Sequence, residues 1–193
     1  MQIRNIQTTS QLINFYFENS FQNLEYMKQK LNFLSEKQLN WKPQPSTWSV
    51  GECIRHLVAG HTAYHPKLKS GILFQKEEDE TDFRYKNSLI GKFIIKGVDP
   101  DNLRRVKTLK VFEPDSSNIN RNVFDEFINV QNITTDLVKR LRGLDLVKIK
   151  ISSPVNKYLR MNVGDPLVIL PIHDTRHLNQ ALRVTSLKLF PSE

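Results

Sequence analysis

The spacing of apolar residues constrains this chain more than any other feature. Phe17, Phe21, Leu24, Met27, Leu31 and Leu34 follow one another at three- and four-residue steps, with Leu12 ahead of them. That recurrence gathers apolar side chains on one face of an α-helix. It predicts a first amphipathic helix from residue 9 to about 35, capped by Thr9 or Ser10, whose hydroxyl accepts from a backbone N–H that the first turn leaves without a partner. In NWKPQPSTWSVGE two prolines mark a loop, and Ser49 followed three residues later by Glu52 fits a capping box. The second helix starts there and carries Cys53, Ile54, Leu57, Val58 and Ala63 to about residue 68. A third, from about 120 to 141, has Val123, Phe127, Val130, Ile133 or Thr134, Leu137 and Leu141 as its stripe and stops at Gly143. A fourth runs from about 163 to 187, capped by Asn162 with Asp165 three residues on; Pro171 inside it lacks an N–H and predicts a kink before His173. Together these predict an all-α four-helix bundle with a long irregular connection, holding short helices, over residues 70–119 between helices 2 and 3. LDLVKIKISSP alternates apolar and polar residues, but a lone strand has no partner, so it is read as an extended connection.

Length and composition fit one soluble domain over residues 1–193, with 39% hydrophobic and 25% charged residues. The single cysteine, Cys53, excludes an intrachain disulfide framework, and the polar start MQIRNIQTTS has no secretory apolar core, so a cytoplasmic protein is expected. No stretch reaches the ~20 apolar residues a membrane span needs. The formal charge of +8 raises nucleic acid as a partner. Its basic residues are dispersed, however, the run Glu77, Glu78, Asp79, Glu80 offsets them, and no nucleic-acid motif is present, so they read as solvated surface.

Of five histidines, His173 and His177 stand four apart in HDTRHLNQ, and His61 and His65 repeat that spacing. At ~100° per residue, side chains four apart project from one helix face a turn apart, the arrangement that chelates a metal. Facing separates the pairs. Leu170, Ala181 and Val184 share the face of His173 and His177, and His56 lies on the apolar side of its helix, whereas His61 and His65 lie ~140° and ~180° from His56 and are expected at the surface. His56, His173 and His177 are thus the candidate ligands: three neutral imidazoles from two helices hold a divalent transition metal and leave positions open for water or substrate.

TWSVGECIRHLVAGH, with Trp-Ser followed by a histidine and Leu, resembles the second-helix signature of the DinB-like superfamily, which includes YfiT-like metal-dependent hydrolases. HDTRHLNQALRV resembles its fourth-helix signature, His-x-x-Arg-His-Leu-x-Gln, and LDLVKIKISSPV followed by NVGDPL is also similar. The resemblance covers most of the chain and is weakest over 70–119. It implies a four-helix bundle, commonly a homodimer, with a nickel or zinc ion on three histidines, at positions matching His56, His173 and His177. The family also includes transferases and isomerases that use a low-molecular-weight thiol.

Around these residues the alternatives stay open. Glu52 is either a general base or ligand-orienting group, or the capping-box carboxylate of its helix. Arg176 is a site for an anionic substrate group or a salt-bridge partner within the bundle. Gln180, three residues past His177, is placed to bond that ring from behind, while Asp174 diverges by ~100° from its neighbours and is expected at the surface. Cys53 reads as a buried small hydrophobe, and Trp41 and Trp48 as packing at the helix start. The expected function is a metal-dependent enzyme acting on a small electrophilic substrate by hydrolysis or S-transfer; the alternative is a catalytically silent stress-response or small-molecule binding module that keeps a structural metal.

Overall fold

In the computed structural model, residues 6–73, 81–102, 108, 112–114 and 117–192 are described. They form α1 (Thr9–Lys30), α2 (Glu36–Asn40), α3 (Val50–Ile72), α4 (Leu89–Val98), α5 (Val123–Lys139), β1 (Lys150–Ser152), β2 (Arg160–Asn162) and α6 (Asp165–Thr185). The molecule is mostly helical, and the four long helices are the four that the apolar spacing predicts. Each of α1 and α3 packs on both α5 and α6. Among the described residues no helix is long and apolar enough to cross a membrane.

Local chemistry sets the helix ends. Ser49 and Glu52 close the expected capping box at the start of α3. A second box, Ser35 with Gln38, starts α2, which ends the predicted first helix five residues early. The cap of α1 is Thr8, not Thr9 or Ser10: its hydroxyl accepts from the Gln11 N–H at 3.3 Å. The Thr9 N–H bonds the Phe83 carbonyl instead. Asn162 does not cap α6. Gly164 occupies that position without a side-chain bond, and Pro166 in the first turn has no N–H and so needs no acceptor. Helix α6 then runs unbroken through Pro171.

The span 70–119 contains a short helix of the kind expected there, the ten-residue α4, started by Ser88. One further expectation is corrected. LDLVKIKISSP contributes a true strand: β1 pairs antiparallel with β2, Ile151 opposite Met161, and both are buried. The partner RMN is only three residues long, too short to show a period of its own.

A buried carboxylate ties these additions together. Asp165 accepts from the Ser88 backbone N–H at 3.1 Å, the Ser88 hydroxyl at 2.6 Å, the Asn162 N–H at 2.9 Å and the Tyr85 hydroxyl at 3.3 Å. It fixes the start of α4 and the end of β2 against the start of α6.

The apolar interior has two parts. One gathers Leu12, Tyr16, Leu68, Met161 and Leu167 to Ile172 around the N-terminal half of α6. The other gathers Met27, Cys53, Leu57, Phe127, Leu178 and Val184 around its C-terminal half. Between them in sequence on every long helix lie buried polar groups: Ser20 and Asn23, His61 and His65, Gln131 and Thr134, Asp174 and His177. His173 and His177 sit in this polar layer, while His56 lies on α3 between Ile54 and Leu57 of the second part.

Candidate metal centre

His56 projects from the second turn of α3, and His173 and His177 from the middle of α6. The three ring centroids lie 4.5 to 4.9 Å apart. One nitrogen of each ring lies within 4.8 Å of the others, and His56 Nε2 and His173 Nε2 are 3.0 Å apart. Two nitrogens on one tetrahedral zinc at ~2.0–2.1 Å would be about 3.3 Å apart, so the closest pair is near chelating distance.

The groups behind the rings test whether the set fits a cation. His56 Nδ1 lies 2.6 Å from the Phe112 carbonyl, which can only accept, so that nitrogen carries the proton and Nε2 presents a lone pair. His177 Nδ1 donates to Gln180 Oε1 at 3.0 Å, leaving its other nitrogen free in the same way. Burial lowers all three imidazole pKa values. That of His56 falls despite the Phe112 carbonyl, that of His173 is held well below its ordinary value by burial and the neighbouring rings, and that of His177 is lowered to about 3. Neutral imidazoles with their lone pairs turned together are what a divalent transition metal requires, and these three histidines can hold one.

Trp48 closes one side. Its ring stacks on His177 at 5.7 Å and tilts against His56 at 4.9 Å. The rings, and Trp48 with them, line a cleft of about 1190 Å³ formed by α3, α4, α6 and the hairpin loop, with Tyr64, Ile94, Leu159 and Leu170 among its apolar side chains. Where α3 passes α6, a Cβ at Gly60 would lie 3.7 Å from the His173 ring, an ordinary contact.

The other candidates are placed as follows. Gln180 stands behind His177. Glu52 makes the capping box and an ion pair with Lys42 at 2.9 Å, and does not line the cleft. Arg176 lines the cleft and donates to the Asp99 and Asn102 carbonyls. Cys53 is wholly buried in the apolar core, where burial pushes its thiol pKa up. Trp41 packs on Phe190, away from the rings.

His61 and His65, expected at the surface, are buried, and so is Asp174. His61 Nε2 lies 3.1 Å from the Asp174 carboxylate and Nδ1 lies 2.8 Å from the Thr134 hydroxyl. His65 Nε2 lies 2.9 Å from that same hydroxyl, and Gln131 donates to Asp174 at 2.7 Å. The facing argument gave α3 one buried side; it has two, since α5 and α6 both pack on it. Nothing in the sequence indicated the Phe112 carbonyl, a backbone atom outside the regular helices. Trp48 was legible only as the Trp-Ser pair ahead of α3.

Comparisons with curated proteins and with solved structures gave no match. The family model described as the DinB superfamily matches residues 21–181 and so spans both histidine-bearing helices. The chain belongs to the DinB superfamily.

Proposed function

We propose that this protein is a metal-dependent enzyme on a DinB-like four-helix bundle, using water or a small thiol for hydrolysis of, or S-transfer to, a small electrophilic substrate. The observation that carries this reading is the convergence of three neutral imidazoles at the wall of a large, largely apolar cleft. His56, His173 and His177 would hold zinc or nickel. A divalent cation supplies Lewis acidity there, lowering the pKa of water or of a thiol. The Phe112 carbonyl and Gln180 keep the Nδ1 protons in place, so the nitrogens facing the cleft remain donors of electron pairs. Trp48 and the apolar lining limit bulk water, which strengthens electrostatic contacts made inside. Tyr64, its hydroxyl pKa pushed up by burial, stays protonated on the cleft wall and is able to donate a hydrogen bond.

Elemental analysis of protein purified without an affinity tag tests the metal, with about one zinc or nickel per chain expected. A screen of thiol-transfer and hydrolytic substrates on metal-reconstituted protein tests turnover. Stoichiometric metal with no turnover across that screen would favour the silent binding module, and absence of metal would remove both. The homodimer implied by the family is part of this reading and is checked by sedimentation.

A further inference from the structure

The cleft wall contributed by α6 runs from Ile169 and Leu170 through His173, Arg176 and His177 to Gln180 and Arg183. From residue 169 to 183 that wall is about 21 Å long. Its two ends differ in chemistry. Beside Leu170 the cleft is enclosed by Tyr64, Ile90, Phe93, Ile94 and Leu159, contributed by α3, α4 and the hairpin loop. Phe93 is 80% exposed at the rim, an apolar ring left uncovered among the described residues. Beyond the imidazoles the α6 wall brings in polar groups, Gln180 and Arg183, beside Val184 and Leu187, and Ser46 and Thr47 from the loop ahead of α3 also line the cleft. Among the described lining residues the cations are Lys96, Arg176 and Arg183, and the one acid is Glu113. Arg176 is engaged with two backbone carbonyls. Among the described residues Arg183 makes no ion pair, and its side chain is exposed.

From this polarity we infer that the cleft takes an elongated amphiphilic anion, its apolar part between α4 and the hairpin loop and its acidic group on Arg183, so that the bond between them lies beside the three imidazoles. The inference rests on the enzymatic reading for what happens at that bond, but the binding preference does not need it. An apolar chain removed from water in the first part supplies affinity without direction. A guanidinium at the far end supplies direction, since it pairs a carboxylate through two parallel N–H donors.

The probe is a fluorescent dansylamino-undecanoic acid, titrated against the full chain in parallel with its methyl ester. Both titrations are run on zinc-loaded protein and after dialysis against chelator. The acid is expected to bind about tenfold more tightly than the ester in both preparations, which separates Arg183 from any direct contact of carboxylate with metal. Arg183→Gln should bring acid and ester together, Lys96→Gln should leave the preference intact, and Phe93→Asp should weaken both probes alike. Arg183 and Phe93 are exposed, so these variants should keep the wild-type circular dichroism. The inference is overturned if acid and ester bind equally, if neither binds, if the preference vanishes with the metal, or if Lys96→Gln rather than Arg183→Gln abolishes it. Metal content is measured on the same samples: a protein that takes up no metal on zinc loading, yet still prefers the acid through Arg183, would sink the enzymatic reading and leave the ligand class standing.

Discussion

Gln180 accepts the Nδ1 proton of His177 at 3.0 Å, a bond that leucine at that position cannot make. Gln180→Leu should therefore loosen the ring and the tautomer together, weakening zinc binding by about 10–100-fold, as competition with a chromophoric chelator would show. Gln180→Glu keeps an acceptor and should retain most of the affinity. His65 offers a test in the polar layer. Burial, with His61 beside it, lowers its pKa to about 4, against 6.5 for an unhindered ring. Between those values the unfolded chain holds a proton that the folded one lacks. The stability contributed by the neutral ring is thus complete above about pH 6.5 and is lost as pH falls toward 4. Asp174 and Asp165, whose carboxyl pKa values burial raises, act in the opposite sense, so the measurement has to be a difference. Comparing urea unfolding of metal-free wild type and His65→Gln, the variant should lose up to about 1.4 kcal/mol per pH unit of acid sensitivity in that window. Identical slopes would mean that His65 is protonated in the fold.

Helix α4 contains two glycines with opposite expectations. A Cβ at Gly91 would come within 2.3 Å of the Asp165 carboxyl, whose oxygens are held by Ser88, Asn162 and Tyr85. Gly91→Ala must push that carboxylate off its donors or lift α4, and should cost about 1–3 kcal/mol, the scale of orphaned buried polar groups. At Gly97 nothing lies within 4 Å of the added carbon. Gly97→Ala should gain a few tenths to about 1 kcal/mol from helix propensity alone. Thermal unfolding of both variants checks the contrast, and equal shifts would show that α4 does not rest on Asp165. At this scale the sequence was legible where an element announces itself: Ser49 with Glu52 marked α3, and the stripe from Val123 to Leu141 marked α5. It was silent where an element depends on a distant partner. Strand β1 needs Arg160 to Asn162, and α4 is held by a carboxylate 77 positions away along the chain, as the Ser88 bond to Asp165 shows.

At the scale of the whole molecule, a cation on His56, His173 and His177 would tie α3 to α6, joining side chains as far apart in sequence as His56 and His173, 117 positions. If the native state binds the ion and the unfolded chain does not, chelator should lower the melting temperature of the wild type, while His173→Ala should melt lower and be indifferent to chelator. A wild type that melts identically with and without chelator would argue against a shared ion. The three clustered histidines were readable because two lie one helical turn apart and the third sits on an apolar face. The polar layer around them was not, because buried His61, His65 and Asp174 look in sequence like any solvated side chains; only α5 and α6 closing on α3 puts them inside. That layer also decides alignment. Leucines forgive a slip of one turn, since one aliphatic surface replaces another at little cost. Hydrogen-bonded groups do not: moving α6 by a turn would take Asp174 away from both His61 Nε2 and the Gln131 amide, the partners that hold it. The band between the two apolar halves thus works as a vernier, admitting a single longitudinal setting of the helices, and that is the setting in which the three imidazoles meet.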